Sequence, residues 1–124
     1  MYIRGIRGAT TAEGNTREAI FSATKELLHE IVHANGVDSR EIAAVFFAAT
    51  PDLNAAYPAE AARQLGWNAV PLLSFADLDV PGSVSRCLRV LVLWNTMRQQ
   101  DEITHVYLRG AVGLRPDLSV RPAQ

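Results

Sequence analysis

The sequence predicts an α+β protein, a mixed sheet covered by helices, and three observations carry that expectation. Ile20, Ala23, Leu27, Leu28, Ile31 and Val32 recur at helical spacing and form one apolar stripe. Ala43 to Ala49 is a short unbroken apolar run, the pattern of a strand buried on both faces. Glycine and proline then punctuate the chain into alternating strand-like and helix-like segments, which favours layered α/β or α+β architecture over a bundle or a sandwich.

Tyr2 to Thr10 reads as the first strand, with Gly5 and Gly8 marking a bulge or a close backbone approach. Asn15 is placed to cap the first helix, with Glu18 three residues on in capping-box position. Asn35-Gly36 ends that helix through a left-handed residue. Asp38-x-x-Glu41 predicts a short helical turn before the strand at Ala43. Thr50-Pro51-Asp52 breaks that strand, and Tyr57-Pro58 opens a second helix with proline at its first position. This helix runs to Leu65 and stops at Gly66. Val70 to Phe75 is a third strand, which Pro71 confines to an edge or a bulge. Asp77 to Ser83 is a loop. Val84 to about Met97 is apolar over much of its length and predicts a third, well-buried helix, with Ser83 as its cap and Asp77 and Asp79 complementing its dipole. Ile103 to Val112 completes the order as a fourth strand. Residues 1–114 are expected to form one catalytic domain. Residues 115–124, with two prolines, are expected to form a flexible C-terminal tail.

A chain of 124 residues with 48% hydrophobic content and a net charge of −1 fits one globular domain. No basic run is available to neutralise phosphates, so nucleic-acid binding is not expected. Nor is a membrane span, because no apolar run has the length of one. The single cysteine, Cys87, allows no intrachain disulfide and reads as a small core residue. A cytoplasmic protein is expected. Four strands make a small sheet for Phe46, Phe47, Trp67 and Trp94, so self-association is expected as well.

Eleven of the twelve basic residues are arginine, and Arg4, Arg7, Arg89, Arg109 and Arg115 lie within apolar strings. A guanidinium cannot shed its proton and must find an acceptor; its planar fork matches a carboxylate. Arg7 and Arg89 are the sharpest candidates for holding an anionic ligand. The competing reading is a structural ion pair with Asp77, Asp79, Glu60 or Asp52. Arg4 points away from Arg7 along the strand and suits a surface or interface pair. Tyr107 needs a hydroxyl partner if buried. His29 and His33 sit four apart without a metal signature and read as solvated helix positions, so no metal and no cofactor are expected. Phosphate-loop, dinucleotide and nucleophile-elbow patterns do not occur.

Five strings in order resemble a known family: Ile3 to Thr11 (IRGIRGATT), Ala49 to Leu53 (ATPDL), Cys87 to Val90 (CLRV), His105 to Leu108 (HVYL) and Leu114 to Ser119 (LRPDLS). Together they resemble the monofunctional chorismate mutases of the trimeric pseudo-α/β-barrel class, not the all-helical class. The resemblance implies a homotrimer with active sites between subunits. It implies conversion of chorismate to prephenate, an intramolecular [3,3] rearrangement toward phenylalanine and tyrosine. On that likeness Arg7 and Tyr107 bind the carboxylate of the enolpyruvyl side chain, and Arg89 reaches the ether oxygen. Asp77 lies near the ring. Tyr57 and Arg63 come from the neighbouring subunit to the mouth of the site, Leu73 and Ser74 touch the substrate, and Leu114 and Arg115 belong to a tail closing over it. Three positions depart from the family pattern. Asp77 stands where glutamate is usual, Ser74 where cysteine is common and Glu60 where lysine is common. A different function for the same arginines is a non-catalytic trimer that binds a small carboxylated metabolite. A pure assembly module held by intersubunit ion pairs is a third.

Overall fold

A computed structural model describes residues 1–115 of the chain. The expected tail over 115–124 therefore lies, apart from Arg115, outside the described residues. Five strands and two helices follow in the order β1 (Tyr2–Thr11), α1 (Arg17–Asn35), β2 (Ile42–Ala49), α2 (Pro58–Gln64), β3 (Leu72–Ala76), β4 (Cys87–Thr96) and β5 (Val106–Tyr107). They form one mixed sheet in the spatial order β3-β2-β4-β1-β5. The parallel strands β1 and β2 are joined through α1 and separated by β4, which is antiparallel to both, so the sheet is a split β-α-β unit. Both edge strands, β3 and β5, run parallel to their neighbours.

Helix α1 is shaped as its sequence dictates. Its stripe of Leu27, Leu28 and Ile31 is buried against Ile6, Val45, Phe47, Val90 and Val92 on one face of the sheet, while Ile20 packs with Ala12, Leu53 and Ala61. Each such side chain contributes about 1.5–3 kcal/mol. Gly36 closes the helix at φ 71°, its N–H donating to Val32 at 2.7 Å. Gly8 lets α1 approach β1: an added Cβ would lie 2.8 Å from Ile31 and 3.1 Å from Leu27. The N-cap is Thr16, not Asn15; its hydroxyl accepts from the Ala19 N–H at 3.1 Å. Asn15 is drawn instead to the loop after β2, where its Oδ1 accepts from the backbone of Asn54 and Ala55. The capping box expected at Asp38 and Glu41 is present, α2 begins at Pro58, and β3 follows Pro71 at the sheet edge.

The expected third helix is overturned. Residues 87–96 form β4, the central strand, paired with β1 from Tyr2↔Thr96 to Thr11↔Cys87 and with β2 on its other side. Leu88, Val90, Val92 and Trp94 turn toward the helices; Arg89, Leu91 and Leu93 turn away. Both faces of this strand are apolar, which hides the period of two. With no helix there, Ser83 caps nothing and its hydroxyl donates to the Val80 carbonyl at 2.6 Å. The expected strand over 103–112 is reduced to two residues, because Arg109 turns the chain at φ 50° into a 3-10 turn over Arg109–Ala111.

Candidate active site

The sheet face opposite the helices carries the site. Strand alternation and register put Arg7 and Ala9 of β1, Arg89 and Leu91 of β4, Phe46 and Ala48 of β2 and Tyr107 of β5 on that face. A cavity of about 480 Å³ opens there, lined by Arg7, Gly8, Phe46, Ala48, Arg89, Val90, Leu91, Tyr107, Leu114 and Arg115. Four of these, Arg7, Arg89, Tyr107 and Arg115, can hold anionic groups; most of the rest are apolar. That combination suits a small ligand with few, fixed charges.

The two central arginines are in different states. Arg89 is clamped by Asp77: Nε donates to Oδ2 and Nη2 to Oδ1, both at 2.7 Å. A guanidinium has five N–H donors, so this bidentate pair leaves three for the cavity. The hydrogen bonds from Arg89 hold the Asp77 carboxyl below its ordinary value against the opposing effect of burial, and the same bonds raise Arg89. Asp77 is itself oriented by the Leu78 N–H at 2.8 Å. The ion-pair reading of Arg89 is thus correct, and it coexists with free donors. Arg7, by contrast, has no carboxylate partner among the described residues. Its backbone N–H donates to His105 Nδ1 at 2.9 Å. An unpaired guanidinium in a cavity is an anion site in waiting.

The remaining expected residues go elsewhere. Tyr57 and Ser74 line a separate cavity of about 530 Å³ with Arg17 and Glu60. The Ser74 hydroxyl is buried and finds no partner among the described residues, Asp77 included. Leu73 is 52% exposed on β3, beside Phe46 in register, and Arg63 is exposed on α2. Glu60 is paired with Arg17 at 3.2 Å, so its charge is compensated on site. One chain therefore brings together Arg7, Arg89, Asp77, Tyr107, Leu114 and Arg115, and leaves Tyr57, Arg63, Leu73 and Ser74 outside that cavity. Arg4 is a surface group whose Nε donates to the Arg98 carbonyl at 2.9 Å. His29 and His33 stack on the exposed side of α1, and Cys87 is buried. Sequence reasoning missed His105, whose position one residue before Val106-Tyr107 was its only signal. Among the described residues no cluster of three or more His, Cys, Asp or Glu side chains is placed to hold a metal, and no helix is long and apolar enough to cross a membrane.

A mixed sheet whose open face sets arginines around a small, largely apolar cavity is built to suit a small anionic molecule. The comparisons narrow this class. A family model described as chorismate mutase type I matches residues 3–118. The chain is 59% identical over 117 residues to the chorismate mutase AroH of Thermus thermophilus, covering 94% of this chain and 96% of that protein. It is 46% identical over 121 residues to the chorismate mutase AroH of Bacillus subtilis (strain 168), covering 97% and 95%. A solved chorismate mutase from Clostridium thermocellum superposes with a TM-score of 0.85 at 44% identity, covering 86% of this chain and 96% of that one. The chain belongs to the chorismate mutase type I family.

Proposed function

We propose that this chain is a chorismate mutase that isomerises chorismate to prephenate by electrostatic stabilisation and conformational restraint, without covalent or acid–base chemistry. The observation that carries the reading is one cavity that holds both a preoriented Arg89 and an Arg7 guanidinium with no carboxylate partner among the described residues. Chorismate is a dianion with a flexible side chain. Arg7 and Tyr107 grip the side-chain carboxylate and hold the two reacting carbons together, an orientation effect. As the C–O bond stretches, charge grows on the ether oxygen, and the free donors of Arg89 meet it without reorganisation because Asp77 already fixes the guanidinium. Asp77, shorter than the usual glutamate, acts here through Arg89. Leu114 and Arg115 line the same cavity and begin the segment that closes over the substrate in this reading.

The site is completed by a neighbouring copy within a homotrimer. Two facts support this. Tyr57 and Ser74 lie in a different cavity from Arg7 and Arg89. Leu73, Phe75 and Leu91 are 52%, 49% and 37% exposed on the open sheet face, more apolar surface than a monomer of this size leaves bare without reason. A cytoplasmic location belongs to the same reading. The test mixes chorismate with the protein and follows the loss of its ultraviolet absorbance. Co-assembly of Arg89→Ala with Arg63→Ala subunits is then expected to restore part of the activity each lacks, because some interfaces contain only unaltered residues. Chorismate binding without turnover would return the chain to a carboxylate-binding module, and failed complementation would reject shared sites.

A further inference from the structure

Strand β1 has an open edge beyond β5, and side chains close it. Ladder pairing with β5 covers only Gly8 and Ala9, with the Leu108 N–H donating to the Ala9 carbonyl at 2.9 Å. Two residues earlier on the same edge, the Arg7 N–H donates to His105 Nδ1 at 2.9 Å. Two earlier still, Gln100 serves both groups of Gly5, accepting from its N–H at 3.0 Å and donating to its carbonyl at 2.7 Å. His105 is held in place from behind. Its neighbour Thr104 is pinned by the buried Asn35 at the end of α1, which donates to the Thr104 carbonyl and accepts from its N–H, both at 2.9 Å.

We infer that His105 is a positioning residue for Arg7: as the neutral Nε2–H tautomer it accepts the Arg7 amide and so sets the strand position from which Arg7 holds the substrate. The inference rests on the active-site reading above only through the role of Arg7. An imidazole that accepts at Nδ1 must carry its proton on Nε2. Protonation converts Nδ1 into a donor, so the Arg7 N–H loses its acceptor and a cation appears beside the Arg7 guanidinium. The charged groups facing His105 are Arg7 from β1, Arg115 from the chain after the last 3-10 turn, and Asp101, which lines the same cavity as His105 and Arg7. Leu91 of β4 and Asn35 of α1 add no charge. Burial first, then Arg7 and Arg115, push the imidazole below its ordinary value of 6.5. The neutral form is therefore complete above that value and is lost as pH falls through the lowered midpoint.

Three measurements test this. In the intact protein, imidazole ¹⁵N shifts are expected to show Nδ1 unprotonated and Nε2 protonated at neutral pH, converting together on acidification with a midpoint below 6.5. Chorismate kinetics are expected to show KM rising as pH falls through that midpoint, with kcat changing less. His105→Leu is expected to raise KM roughly three- to tenfold above the midpoint, the effect of losing one neutral hydrogen bond, and to converge with wild type below it. His105→Asn, which can place its amide oxygen near the Nδ1 position, is expected to recover most of that loss and to abolish the acid step. A proton on Nδ1 at neutral pH, an unchanged KM in His105→Leu, a KM that falls on acidification, or an acid step that survives in His105→Asn would each overturn the inference. The ¹⁵N arm needs no substrate, so it decides the tautomer even if wild-type protein turns over no chorismate, a result that would sink the functional reading instead.

Discussion

Replacing Arg89 with alanine separates catalysis from stability in this fold. The side chain gives two N–H groups to Asp77 and has three left for the substrate. Its contribution to folding is modest: the arginine side chain is 53% exposed and that of Asp77 11%, so the pair stabilises by about 1 kcal/mol and its loss leaves a half-buried carboxylate unpaired. Its neighbours in register are Ala9 and Ala48, so truncation opens no buried cavity. Its contribution to the barrier is larger. Loss of one neutral donor to a developing oxyanion costs about 3–4 kcal/mol. A charged donor in the same position costs at least that, and at about 1.4 kcal/mol per decade kcat falls on the order of 10³-fold. The assay is initial-rate loss of chorismate absorbance at saturating substrate, beside thermal unfolding of the same sample. A folded variant within about tenfold of wild-type kcat would refute the charge-stabilisation mechanism. A collapse in Tm of more than a few degrees would show that the Asp77 clamp holds the fold and not only the guanidinium.

Arg7→Ala is expected to act mainly on KM, since a carboxylate grip persists in ground and transition states alike; steady-state kinetics in which kcat falls as far as kcat/KM would contradict this. Truncation after Gly113 removes Leu114 and Arg115 from the cavity and is expected to weaken capture while sparing the chemistry, read as a raised KM with kcat largely kept. Gly8→Ala is expected to destabilise by about 1–3 kcal/mol in denaturant unfolding, because the new methyl meets Ile31 at 2.8 Å and Val90 at 3.0 Å; Gly5→Ala, with only Leu91 at 3.3 Å, is the milder control. Acid stability follows Glu26, whose carboxyl is held below its ordinary 4.5 chiefly by the Arg109 hydrogen bonds at 2.8 and 2.9 Å. That contribution is present above 4.5 and lost as pH falls through the depressed value, so Glu26→Gln is expected to flatten this part of the acid decline measured by unfolding at stepped pH.

Much of the fold is legible in the chain. The stripe of α1, the glycine at its end, the proline opening α2 and the proline before β3 each act within a few residues, and each is where it was expected. β4 was not legible as a strand. Leu91 and Leu93 on its open face are as apolar as Val90 and Val92 on its covered face, so no alternation marks it. Asn15 shows the same limit on a smaller scale: its residue type suits a cap, but the loop at Asn54 claimed it.

The site divides in the same way. Residue types alone singled out Arg7 and Arg89 as guanidinium groups that require acceptors, because fixed charge and low dielectric leave no other choice. Which of them meets a carboxylate is a matter of register. Arg89 faces Asp77 twelve residues away across a loop, while among the described residues Arg7 meets no acid and its backbone is held by His105, 98 residues along. The sequence by itself determined the stripe of α1, the glycine that ends it, the proline that opens α2 and the chemistry available, since those follow from contacts within a turn or two. Only the tertiary structure decided which donor is spent on the protein and which is left for a ligand, because strand pairing joins residues whose separation along the chain carries no local signal.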